Sequence, residues 1–159
     1  MSGIIGGAGS KSGIIGTTEI DYEEGTFTPA IWIDSTISGV TQQLQDGMYT
    51  KVGNLVSCTV ALSISNKGSG SGNVTFRGLP FTIKDALPNT SLVGGSAAFG
   101  YIEGLSGLSG LGMVCSQNTT YLVGYAEAGD NGMPDATFTN SHITNNFGCR
   151  FSFQYFTDL

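Results

Sequence analysis

Charge is scarce in this chain. Only 11% of its 159 residues are Asp, Glu, Lys or Arg, against roughly 25% in an average soluble domain. Six are basic and twelve acidic, giving a net charge of −6, and nowhere do Lys or Arg cluster. Phosphate binding needs a basic footprint, so nucleic acid is not an expected partner. Long apolar runs are missing too. Nothing approaches the roughly 20 residues that span a bilayer, and the start lacks the basic and continuously apolar segments of a signal peptide, so neither a membrane partner nor classical secretion is expected. Cysteine is sparse and odd in number. Cys58, Cys115 and Cys149 each lie in an apolar, strand-like context and not at ligand spacing, and read as small core residues of a protein folded in a reducing cytoplasm. There is one histidine, His142, with no Ser or Cys nucleophile signal beside it. It reads as a loop residue, and no enzyme and no cofactor are expected.

What the chain has in abundance is glycine, 25 residues of it. Each interior glycine costs a helix about 1 kcal/mol relative to Ala, so helices are disfavoured. With few charges, the surface must be built from Ser, Thr, Asn and Gly. Such a surface loses less hydration on contact than a Lys/Glu surface and suits packing in an assembly, and an extracellular β-protein has the same composition.

Period-two alternation dominates the rest. Val56, Cys58, Val60, Leu62 and Ile64 alternate with small polar residues, which predicts a half-buried strand over 56–64. The Gly/Ser-rich stretch Lys67–Gly72 then predicts a hairpin turn into a strand around Val74 and Phe76, ended by Pro80. A second clear strand closes the chain, with Cys149, Phe151, Phe153 and Tyr155 on one side. Between and before these lie weaker candidates. Thr26–Ile33 reads as one strand with Pro29 at an edge or bulge, and Asp46-Gly47 and Gly53-Asn54 read as turns flanking a strand over Met48–Val52. Ser35–Gln45 reads as a loop or weak strand, Gly94-Gly95 as a bulge or break, and Gly104–Gly112 as a leucine-bearing loop. Met113–Ser116 and Thr120–Glu127 form a hairpin around Gln117-Asn118-Thr119, with Tyr121, Val123 and Tyr125 on one face. The total is about eight to ten strands with no convincing helix, an all-β, jelly-roll-like antiparallel β-sandwich over residues 19–159. The Cys-to-Trp-to-Cys framework of an immunoglobulin domain is missing.

Residues 1–18 stand apart as an extended N-terminal arm rich in glycine and isoleucine. It repeats Ser-Gly-Ile-Ile-Gly at Ser2–Gly6 and Ser12–Gly16. Ile4, Ile5, Ile14 and Ile15 are too few to form a core and too apolar for a solvated tail, so they read as anchors that bind a partner chain. The alternatives are an arm folded back on its own domain or disordered. No phosphate loop is implied, since no strand and helix flank these glycines.

Two acidic groups invite a metal or glycosidase reading. Glu19–Glu24 holds four acids in six residues, and Asp130–Asp135 holds two in a turn cluster. Neither has the spacing of an EF-hand, and both read first as solvated turns, so no metal is expected.

Three segments also carry a resemblance. Asp21–Pro29 (DYEEGTFTP), Gly47–Asn54 (GMYTKVGN) and Gly70–Phe81, with its Gly-Leu-Pro-Phe ending, resemble a module of virion structural proteins of tailed bacteriophages, and Ser12–Glu19 resembles the lead-in often seen before it. The match covers roughly residues 12–81. That module occurs in small head decoration or cement proteins and in tail-fibre or appendage proteins. The resemblance implies a virion location and a partner that is the major capsid protein or another virion protein, and it carries no catalytic residues. The compact chain with its apolar arm, and without a fibre shaft, leads to a first expectation of a homotrimeric head decoration protein that attaches to and stabilises the capsid. The alternative is a tail-fibre or receptor-binding tip that contacts host surface glycans. On that alternative Trp32, Tyr121 and Tyr125 offer faces for sugar rings, although core packing is the first reading of all three.

Overall fold

A computed structural model describes residues 21–93, 97–127 and 136–158. Eleven strands and one short 3-10 turn, Asn140–His142, account for the described secondary structure. The strands are β1 (Tyr22–Phe27), β2 (Ala30–Ile33), β3 (Thr41–Val52), β4 (Leu55–Asn66), β5 (Val74–Arg77), β6 (Leu92–Val93), β7 (Ala98–Leu105), β8 (Gly110–Ser116), β9 (Tyr121–Glu127), β10 (Ala136–Thr137) and β11 (Ile143–Phe156). All pairings are antiparallel. The first sheet runs β1-β3-β4-β11-β7, and the second runs β2-β5-β9-β8-β6, with β10 beside β9. The chain crosses between sheets after β1, β2, β4, β6, β7 and β10, which gives the expected jelly-roll-like sandwich its connectivity.

Alternation decides what goes inside. Val56, Cys58, Val60, Leu62 and Ile64 of β4 join Phe147, Cys149, Phe151, Phe153 and Tyr155 of β11 on the inner side of the first sheet. Ile31, Ile33, Val74, Phe76, Leu111, Met113, Cys115 and Leu122 face them from the second. Phe76 touches three other rings, with centroids 6.5 Å from Phe138, 6.5 Å from Phe147 and 5.8 Å from Phe151. Aromatic packing of this kind is worth about 0.5–1.5 kcal/mol per pair beyond area burial. The three cysteines are buried and free, as their apolar settings predict.

Several expectations are corrected. β4 and β5 are not a hairpin. β4 pairs β3 and β11 in the first sheet, while β5 pairs β2 and β9 in the second. The 67–73 segment is a crossing between sheets, pinned where Lys67 Nζ donates to the carbonyls of Asn140 and Ile143, at 2.9 and 2.7 Å. Thr26–Ile33 is likewise two strands, with the crossing at Thr28-Pro29 between two edge strands, where a residue without an N–H costs no ladder bond. Asp46-Gly47 is not a turn but the middle of β3, and Ser35–Gln45 contributes the strand's first residues. Glu23 and Glu24 lie on β1 instead of in a turn. The Gly104–Gly112 loop is short, because β7 continues to Leu105 and β8 begins at Gly110. Trp32, Tyr121 and Tyr125 stand outside the core cluster, half-buried on the outer side of the second sheet.

The Gly53-Asn54 turn and the β8–β9 hairpin form as expected, with Val52 opposite Leu55 and Cys115 opposite Leu122. Gly53 takes φ +59, the left-handed region that glycine enters without strain. The 82–90 connector is held by the buried Gln117. Its Oε1 accepts from the N–H groups of Ala86 and Leu87, at 2.5 and 2.9 Å, and its Nε2 donates to the carbonyls of Leu87 and Thr90.

Candidate functional site on the outer face of the first sheet

The register of the first sheet lines its outward side chains up in rows. One row is Tyr22, Val52, Leu55 and Phe156, from β1, β3, β4 and β11. The next is Glu24, Thr50, Ser57 and Gln154, and the third is Thr26, Met48, Thr59, Ser152 and Ala98. A fourth holds Asp46, Ala61, Arg150 and Tyr101. Large side chains stand along the borders and small ones in the middle. The result is a shallow groove of about 810 Å³ whose floor is Thr59, Ala61 and Ser152 and whose walls include Thr26, Met48 and Arg150.

The polarity of this face is unusual for a sheet bordering water. The exposed large apolar residues among those described are Tyr22, Ile37, Met48, Val52, Leu87, Tyr101 and Phe156. Tyr22, Met48, Val52, Tyr101 and Phe156 all belong to the rows above, and Met48 and Tyr22 are each 59% exposed. Single exposed apolar side chains are ordinary, but five of the seven among the described residues share this one face.

The polar groups here are tied to one another. Thr59 Oγ1 and Ser152 Oγ lie 3.1 Å apart, and Gln154 Nε2 donates to Ser57 Oγ at 3.0 Å. Tyr22 donates to Glu24 at 2.6 Å and Tyr101 to Glu103 at 2.7 Å, and these accepting carboxylates raise both phenol pKa values. Arg150 sits 5.5 Å from the Tyr101 ring centroid. These bonds lower the cost of covering the hydroxyl and amide groups, while Glu24, Asp46, Glu103 and Arg150 keep charge on the face.

The chemistry-bearing residues do not converge. Ile4, Ile5, Ile14 and Ile15 lie outside the described residues, as do the arm, Gly94-Gly95 and the Asp130–Asp135 cluster. In the Glu19–Glu24 cluster, Glu19 is outside as well. Asp21 pairs with the buried Lys51, and Glu23 accepts from Tyr49 at 2.6 Å. No group of three metal-ligating side chains comes together among the described residues. His142 sits on the 3-10 turn, where its Nδ1 accepts from the Thr139 N–H at 3.1 Å and its ring stacks on Phe138. No helix among the described residues is long and apolar enough to cross a membrane.

The face itself escapes a reading based on turns and acids, yet it left a signal. Phe156 follows Arg150, Ser152 and Gln154 on the polar side of the closing strand, and Met48 and Val52 stand on the polar side of β3. Apolar residues at positions that alternation assigns to the polar side are the sequence trace of this face.

No protein-family model and no curated protein match the chain. Among solved structures, the Dettilon tailspike protein is similar over 84% of this chain, at 18% identity and a TM-score of 0.61. The chain spans 23% of that protein's length. At this identity the likeness is one of fold, and the sandwich described above is a structure that recurs inside a larger tailspike chain.

Proposed function

We propose that the chain is a structural, non-catalytic protein of a tailed-bacteriophage virion, a tail-appendage component that assembles as a homotrimer through the outer face of its first sheet. The observation that carries this reading is the concentration of exposed apolar side chains on that face. Five strands about 4.8 Å apart and four rows about 6.8 Å apart project to roughly 390 Å² between the outermost strands and rows, about half of the ~800 Å² that each partner buries in a standard interface. Neighbouring edges and loops supply the remainder in a ring of three.

Two independent lines support the virion part of this reading. The DYEEGTFTP, GMYTKVGN and GLPF segments resemble virion modules, and the fold is similar to part of a tailspike. The second of these favours the tail. Head decoration is the second reading, supported by the repeated Ile4-Ile5 and Ile14-Ile15 pairs, which suit attachment of many copies to a capsid or other virion protein. Each buried isoleucine contributes about 1.5–3 kcal/mol before ordering costs, and a trimer multiplies weak anchors through effective concentration.

Quantitative mass spectrometry of purified particles tests both readings. A few to a few dozen copies per particle, with antibody labelling at the tail, is the expected result. Hundreds of copies on the head would replace the tail reading with the decoration reading, and absence from particles would end both.

A further inference from the structure

If the first sheet is turned inward by assembly, the second faces the surroundings, and one feature of its outer side keeps hydrogen-bond donors without a partner among the described residues. Arg77 of β5 lies directly opposite Tyr121 of β9 and diagonal to Trp32 of β2. Its guanidinium carbon is 4.7 Å from the Trp32 ring centroid and 4.5 Å from that of Tyr121. The cation is therefore clamped between two rings, and its Nε donates to Thr75 Oγ1 at 3.1 Å.

The clamp is notable for what it does not include. Among the described residues, Lys51 is paired with Asp21, Lys84 with Asp158, and Lys67 donates to two backbone carbonyls. Arg77 has no carboxylate partner among them, and neither does Arg150, although acids outnumber bases twelve to six in the chain; of the two, Arg77 is the one within 5 Å of two ring centroids. A guanidinium offers five N–H donors in a planar fork that matches a carboxylate. Committing Nε to Thr75 and fixing the plane between rings leaves the two terminal amines pre-organised for such an acceptor, with little entropy left to lose.

From this we infer that the Trp32–Arg77–Tyr121 clamp is a binding site for a carboxylate-bearing sugar, the uronic or sialic acid class, of a host surface glycan. A sugar is favoured over a protein carboxylate because, among the described residues, none of the exposed large apolar side chains lies on a strand of the second sheet. A protein partner would need such anchors, whereas aromatic ring faces suit the C–H groups of a sugar ring and the free guanidinium amines its carboxylate. The inference rests on the appendage reading only in requiring that this face meet the host.

Trp32 is the chain's single tryptophan, so its fluorescence reports the site directly. The full chain is titrated with oligogalacturonate, with N-acetylneuraminate, with uncharged galactose oligomers and with poly-glutamate, and its oligomeric state is followed by light scattering. The expected result is a saturable emission change with at least one acidic sugar, at least tenfold tighter than with galactose oligomers. Affinity should fall at least tenfold in both Arg77→Ala and Arg77→Lys, the second keeping the charge but not the fork. Arg77→Lys also serves as the reading if Arg77→Ala fails to fold. No response to either acid, an equal response to galactose oligomers, or full affinity in Arg77→Lys overturns the site. An equal response to poly-glutamate overturns its assignment to glycan. A trimer that binds none of these loses only this site, and a monomer that binds the acid loses only the proposed assembly.

Discussion

Cys58, Cys115 and Cys149 show how burial sets chemistry at single residues. Desolvation pushes the Cys58 thiol up to about 12, with Cys115 adding to it, and the Cys115 thiol up to about 11. Cys149 is raised for the same reason. The thiolate is the reactive form, so these groups are inert while the protein is folded. Iodoacetamide at pH 8 should leave the native mass unchanged and add three adducts in denaturant, and alkylation of the native protein would contradict the packing. The same shifts give a pH dependence. A thiol ionises near 8.5 in an unfolded chain, so raised native values contribute stability that is complete below that pH and lost as pH rises toward 11–12, because unfolding then releases protons. Tyr155, raised chiefly by burial, acts in the same direction at the upper end of that window. The urea midpoint should accordingly hold steady from pH 7 to 8 and fall between pH 9 and 11.

Strand faces were legible in the sequence, and strand partners were not. The alternation from Val56 to Ile64 and from Cys149 to Tyr155 names the buried side of β4 and β11 correctly, because one buried face requires a period of two. It contains nothing about which sheet a strand joins. Asn66 and Val74 are separated by turn-rich residues whether the chain folds back beside itself or crosses the core, so β4 and β5 read as a hairpin. Gly47 misled for a related reason. Glycine signals a turn, but it also seats an aromatic ring from the next strand. Phe27 lies opposite Gly47 and Tyr49 opposite Gly25, and each ring covers the facing glycine. A Cβ on Gly47 would lie 2.7 Å from the Phe27 ring. Gly47→Ala should therefore cost about 1–3 kcal/mol through overpacking, in urea unfolding. In a Phe27→Ala background that cost should largely vanish, and an undiminished penalty would show that the ring is not its source.

At the scale of the whole molecule, the two sides of the sandwich are unequal. The outer side of the second sheet carries the Arg77 clamp, while the outer side of the first carries Tyr22, Met48, Val52, Tyr101 and Phe156. The clamp's residues are all visible in the sequence, but only folding brings β2, β5 and β9 side by side. On the first sheet, Met48 stands exposed in a row with Thr26, Thr59 and Ser152, a position that the proposed assembly covers. Polar residues there would keep the monomer soluble without weakening the core, since none of these apolar side chains reaches it. Replacing them with lysine therefore separates folding from assembly. Met48→Lys with Phe156→Lys should leave the far-UV circular dichroism and melting temperature close to those of the parent, because both side chains are more than half exposed. Light scattering at about 10 µM should change from the mass of three chains to that of one, since several charges would be buried unpaired around the ring. A parent that is already monomeric, or a double variant that stays trimeric, would remove the first sheet from the interface. A trimeric parent whose double variant is a folded monomer would show that this side is covered in the assembly.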